Sequence, residues 1–153
     1  MIDVILEDER WAGLGLDALC GPAGHEALAV TGRKPAGFEI ALMGCDDARI
    51  ADLNRDFRGK PSPTNVLSWP ASETPPFEGG TPEISLGDIA IAYETCLREA
   101  EEKGISVQNH VTHLVIHGIL HLLGYDHTTD SDAEEMEALE IKALAKLGIN
   151  NPY

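Results

Sequence analysis

The sequence predicts an α+β fold: a single domain over residues 1–153, in which a small mixed β-sheet is packed with several helices. Three observations lead there. Short strand-like runs (IDVILED, FEIALMG, TNVLSW, LGDIAIA) are interspersed with segments of helical period, in the order β, α, β, α, β, β, α, α, α. The 153 residues suit one domain, because two would each sit near the lower size limit. A hydrophobic content of 43% is ordinary for a globular chain and excludes disorder as the main state.

Each element has a local reason. IDVILED alternates well enough for a strand. Residues 11–31 carry helix formers, with an interruption expected around Gly21-Pro22. FEIALMG (38–44) reads as a second strand. Asp46 then caps a helix running to about Phe57, with Ile50, Leu53 and Phe57 on one face. RGKPSP is a Pro-rich turn into the strand TNVLSW, which Pro70 ends. Residues 70–83, with four prolines and two adjacent glycines, read as a surface loop. LGDIAIA is an apolar strand. Tyr93 to Lys103 reads as a helix stopped by Gly104. Ser106 caps another, running to Leu123 with Gly124 as its C-cap. A last helix is expected to start at Ser131, with Glu134 completing a capping box, and to end near Gly148.

Composition excludes several classes of function. The longest apolar stretch, VTHLVIHGILHLLGY, is broken by His113, His117 and His121, so no transmembrane span and no membrane partner are expected. The acidic start MIDVILEDER lacks the basic, then apolar, pattern of a signal peptide, and the expected location is the cytoplasm. Cys20, Cys45 and Cys96 are odd in number and lack CxxC spacing, which reads as reduced, mostly buried thiols. Eleven Lys and Arg against 26 Asp and Glu give a net charge of −15, which argues against broad nucleic-acid binding. The charge is uneven, however. Arg33, Lys34, Arg49, Arg55, Arg58 and Lys60 cluster in residues 33–60, whereas seven acids crowd residues 126–140.

The chemistry concentrates in the histidines. Five of the six lie in residues 110–127, three of them in H117-G-I-L-H121-L-L-G-Y-D-H127. On a helix, His117 and His121 project from one face, one turn apart. Gly124 can take the left-handed conformation that reverses the chain, so that Tyr125-Asp126 returns His127 toward the same point. Three neutral imidazoles with one open position describe a catalytic zinc site, whereas structural sites usually close with four protein ligands. His110 and His113 read first as ordinary packed residues; the alternatives are that His113, which shares the face of His117, supports a ligand and that His110, seven residues before His117, lines the cleft. His25 carries no signal. The spacing HxxxHxxGxxH is that of the metzincin proteases, but those enzymes need Glu directly after the first histidine as general base, and here that position is Gly118.

HGILHLLGYDH resembles the signature of the YbeY family, bacterial endoribonucleases of rRNA maturation. LNRDFRGKPSPTNVLSWP (53–70) and LGDIAIA (86–92) resemble that family's other two motifs, in the same order. The resemblance implies an α+β domain holding one zinc ion (Zn2+). It implies a metal-dependent endoribonuclease acting on single-stranded RNA, in maturation of the 3′ end of small-subunit rRNA and in ribosome quality control. Carried over residue by residue, it implies His117, His121 and His127 as ligands and Arg58 as the functionally important arginine.

That arginine makes chemical sense. Phosphodiester cleavage builds negative charge on the non-bridging oxygens, and a guanidinium can hold two of them at once. Zinc can activate water and polarise a phosphoryl oxygen. Asp126, beside His127, is a catalytic candidate that would orient a ligand or take a proton. Two other readings stand beside this one: a peptidase on the same site, and a non-catalytic factor with structural zinc. The −15 charge fits the second of these, since an acidic chain suits basic ribosomal proteins or assembly factors. No DNA partner is expected.

Overall fold

The computed structural model describes residues 2–71 and 84–153. The N-terminal strand β1 (Ile2–Leu6) leads into a short helix α1 (Arg10–Leu14) and then α2 (Leu16–Val30). A 3-10 turn (Pro35–Gly37) precedes β2 (Phe38–Cys45), and α3 (Asp47–Arg58) follows. Then come β3 (Val66–Pro70), β4 (Ile84–Ala92), α4 (Tyr93–Lys103), α5 (Val107–Leu122) and α6 (Asp130–Lys146). Most of the expected loop at 70–83 lies outside the described residues; Pro70 itself closes β3.

The four strands form one mixed sheet in the order β1-β2-β4-β3, with β1, β2 and β4 parallel and β3 antiparallel to β4. β3 is therefore an edge strand. Gly87, opposite Pro70 at the end of that ladder, takes φ 139°, and a side chain there would run into the Trp69 carbonyl, so only glycine fits. One face of the sheet packs on α2 and α5 through the main core, which includes Leu42, Ile89, Ile91, Val115, Ile116 and Ile119. The other face carries a smaller cluster under α3, built on Ile50, Leu67 and Ala90.

Two expectations are corrected. The helical segment after β1 breaks at Gly15, not at Gly21-Pro22. Gly15 adopts φ 78°, ending α1 while its carbonyl starts α2 by accepting from Ala18 and Leu19. Pro22 sits inside a continuous α2, where Cys20 and Ala23 are buried. Burial of that face outweighs the hydrogen bond that proline cannot donate. The last helix begins one residue earlier than expected. Its cap is Thr129, whose hydroxyl accepts from the Asp132 amide at 3.1 Å, and a Ser131–Glu134 capping box does not form.

Other local signals match. Asp46 caps α3 by accepting from Arg49 at 2.7 Å, and Ser106 caps α5 by accepting from Asn109 at 3.1 Å. Past Leu123, Gly124 takes φ 101°, its amide bonding His121 O and the Tyr125 amide bonding Leu120 O. That paired closure ends α5 and turns the chain back toward it. The starts of α3 and α4 are tied reciprocally: the Asp47 amide donates to Glu94, and Thr95 donates to Asp47 from both amide and hydroxyl. This tie holds α3 in place and so places Arg58 at its far end.

Candidate active site

α5 is the central helix, with eleven of its sixteen residues buried, so little of it is left to face anything but core. A stripe of histidines runs along it, His110 and His113 buried and His117 and His121 half-buried. His110, His113, His117 and His121 recur at helical spacing, and all four line a cleft of about 690 Å³. Edge strand β3, the C-terminal end of α3 and the 124–127 turn complete its walls, bringing Arg58, Asp126 and His127 to the same cleft.

Two nitrogens define its centre. His121 Nε2 and His117 Nε2 lie 3.0 Å apart. His121 Nδ1 faces the Tyr125 carbonyl at 2.9 Å, and His117 Nδ1 faces Glu140 Oε1 at 3.3 Å. A carbonyl and a carboxylate can only accept, so both Nδ1 atoms carry the proton and both Nε2 atoms present bare lone pairs. Two such lone pairs repel at this distance unless they share a proton or converge on a cation. Burial, reinforced by the neighbouring His117, holds the His121 pKa below its ordinary value and so keeps the ring neutral.

His127 approaches from the turn, with its ring centroid 5.2 Å from that of His121 and 5.9 Å from that of His117. One ligand atom each from His121, Asp126 and His127 lies within 4.8 Å of the others, a donor set suited to a metal ion. The structure brings His117 beside His121 and His121 beside His127, while the group with ligand atoms within 4.8 Å of one another holds His121, Asp126 and His127 and does not include His117. Asp126 uses Oδ1 to accept the His127 amide at 2.8 Å, which shapes the turn, and its side chain is half exposed.

Arg58 sits at the end of α3 with Gly59 in the left-handed conformation beside it, and it forms no ion pair among the described residues. Its turn is held from below. Buried Asn54 donates from Nδ2 to the Ser62 carbonyl at 2.9 Å, and its own carbonyl accepts from Lys60. Gly118 packs against β4, where a Cβ would lie 3.2 Å from Ile89 Cδ1, already tighter than ordinary contact. A glutamate there would be pressed against the sheet, which argues further against the peptidase reading.

Three residues escaped the sequence reading. Glu140, 1% exposed, accepts on one oxygen from His113 Nε2 at 2.5 Å, Tyr153 OH at 2.9 Å and His117 Nδ1 at 3.3 Å. Burial raises its pKa, but the His113 and His117 hydrogen bonds outweigh that and hold it at about 2. Burial and the Glu140 charge push the Tyr153 phenol upward, so it stays a donor. Glu99 accepts from His110 at 2.8 Å and from Asn65 at 3.0 Å. Burial, partly opposed by Glu99, lowers the His110 pKa. The signal for Glu140 was its spacing with Met136, Ala143 and Leu144, an acid on the buried face of α6. Nothing local marks Glu99 or Tyr153.

Residues 24–148 match a family model described as Endoribonuclease YbeY. The chain is 53% identical to Endoribonuclease YbeY of Ruegeria pomeroyi over 165 residues, covering 99% of this chain and 97% of the relative. It is 50% identical to that of Dinoroseobacter shibae over 162 residues, covering 99% and 90%. The solution structure of a Thermotoga maritima protein shares the fold, with TM-score 0.59 at 24% identity over 97% of this chain and 92% of that one.

Proposed function

The chain belongs to the YbeY endoribonuclease family, and from that premise we propose that its cleft cuts single-stranded RNA with one zinc ion held by His117, His121 and His127. The observation that carries the reading is the convergence of two imidazole lone pairs 3.0 Å apart, with both opposite nitrogens committed to acceptors. Two nitrogens bound to one zinc at about 2.0–2.1 Å lie roughly 3.4 Å apart in a tetrahedron, so the pair suits that ion. His127, on an exposed turn, supplies the third nitrogen. His117, His121 and His127 would hold the zinc, which would supply Lewis acidity toward a phosphoryl oxygen.

The remaining chemistry belongs to the chain. Glu140 fixes the His117 tautomer and ring orientation, as an acceptor behind a metal-binding imidazole does, and the Tyr125 carbonyl does the same for His121. Arg58, with no partner of its own among the described residues, holds two non-bridging oxygens of the scissile phosphate and stabilises the charge that builds there. Asp126 shapes the turn that delivers His127, and its carboxylate, within 4.8 Å of the His121 and His127 ligand atoms, takes the proton of the attacking group. The register of β3 turns the Val66 and Ser68 backbones away from β4, along the cleft wall. A splayed single strand can follow such an edge, whereas a duplex keeps its bases stacked and its backbone rigid.

The substrate we propose, in keeping with the family resemblance, is the 3′ end of small-subunit rRNA, cut in the cytoplasm during ribosome maturation and quality control. The −15 charge suits basic ribosomal proteins or assembly factors as partners. No helix among the described residues is long and apolar enough to cross a membrane. Metal analysis combined with RNA digestion tests the proposal. One zinc per chain, lost in His121→Ala, and faster cutting of separated strands than of their duplex are expected. Full zinc occupancy in His121→Ala, or equal rates on both RNA forms, refutes it.

A further inference from the structure

The sheet face away from α5 carries a second concavity, an apolar groove of about 370 Å³. Its walls include Ile5, Met43, Leu53, Phe57, Trp69 and Asp88. Phe57 and Trp69 line both this groove and the histidine cleft, so the two are continuous around the end of α3. Phe57 is 65% exposed, more than any other large apolar residue among those described. It belongs to neither apolar cluster. Among the described residues its one ring contact is edge-on to Trp69, with centroids 5.3 Å apart and planes at 61°. Packing among the described residues therefore does not account for it, and an edge contact with Trp69 leaves ring face open to them.

We propose that Phe57 and Trp69 form a nucleobase-stacking subsite of the cleft, taking the base of a nucleotide that neighbours the scissile phosphate. The proposal rests on reading the cleft as an RNA-cleaving site. Charge fixes the polarity of the bound nucleotide. Arg58, the next residue after Phe57, is exposed on the cleft side and suits a phosphate. Asp88 is the charged residue of the groove; its carboxylate repels phosphate and accepts from base N–H groups. The base thus enters the groove while its backbone stays beside Arg58. Single strands offer such unstacked bases, and a ring face binds any of them. A second copy or a protein partner would need no continuity with the cleft.

The test uses the zinc-loaded full chain and a defined single-stranded RNA. Trp11 is fully buried, so of the two tryptophans Trp69 is the one whose fluorescence a stacked base can quench. Phe57→Ala should raise KM about 5- to 150-fold, the range for losing one stacked base, with kcat changing less. Phe57→Tyr should restore KM, and Phe57→Leu, apolar but unable to stack, should not. Moving a single abasic site along the RNA should show one sensitive position in the wild type and none in Phe57→Ala. A Leu variant equal to wild type, or Phe57→Ala that changes self-association but not KM, overturns the subsite. If the wild type fails to cut RNA, the cleft reading falls. Trp69 quenching by the same RNA, present or absent, still decides the subsite.

Discussion

Replacing Glu140 with glutamine isolates what the buried carboxylate does. One of its oxygens accepts three hydrogen bonds, from His113, Tyr153 and His117, at a position 1% exposed. Glutamine keeps the volume and one acceptor but loses the charge. Each bond to a charged acceptor is worth about 1 kcal/mol more than its neutral counterpart. The Tyr153 ring is largely exposed, so its bond counts for less. The expected loss is therefore about 2 kcal/mol in urea unfolding. Glu140→Ala, which strands all three partners, should cost about 3–5 kcal/mol. Because Glu140 holds the His117 ring, zinc affinity measured by chelator competition should fall about 10- to 100-fold in Glu140→Gln. The pH dependence has a definite sign. The folded pKa, about 2, lies below the ordinary 4.5, so the carboxylate's stabilisation is full above pH 4.5 and is lost as pH falls toward 2. The gap between wild type and Glu140→Gln should close over that window. Unchanged unfolding and unchanged zinc affinity in Glu140→Gln would refute the reasoning.

Arg58→Ala should leave the melting temperature nearly unchanged, since the side chain is exposed, while turnover on saturating single-stranded RNA falls about 100- to 1,000-fold. Arg58→Lys should recover only part, because an ammonium keeps the charge and loses the two-pronged grip; full turnover in Arg58→Ala would remove the residue from the mechanism. Urea titrations at stepped pH should show metal-free protein losing stability as pH falls below 6.5. The reason is that burial lowers the His110 and His121 pKa values, so the unfolded chain takes up those protons first; a flat profile between pH 7 and 5 would contradict it. Burial pushes the Cys20 and Cys45 thiols up to about 12 and Cys96 upward as well. A thiol-specific reagent should therefore label none of the three in the native protein and all in urea, and rapid native labelling would refute their inertness.

Where structure depends on neighbours in the chain, the residues announced it. Asp46 and Ser106 cap the helices they were expected to cap, and Gly124 turns the chain where the histidine spacing requires a turn. The histidine stripe follows from helical geometry alone, and so does the meeting of His117 with His121. What stayed hidden depends on distant partners. Pro22 reads locally as a break, and only the burial of Cys20 and Ala23 against the core shows why α2 continues. The parallel pairing of β1, β2 and β4 is a long-range choice that no strand carries in itself. Glu140 reads as one more acid in a charged run, because its partner His113 lies 27 residues away. Tyr153 reaches the same carboxylate from the end of the chain. Arg58 was singled out through the resemblance, whereas the buried Asn54 that holds its turn needed the fold.

If the histidine cleft is a metal-dependent RNA-cleaving site, cleavage rate must follow added zinc. Chelator-treated protein is supplied with a defined single-stranded RNA, and zinc is titrated in. The metal-free chain should be inert, the rate should rise linearly and saturate at one zinc per chain, and His121→Ala should stay inert throughout. Wild-type cleavage by the metal-free protein, or by His121→Ala at the same rate as the wild type, would contradict it.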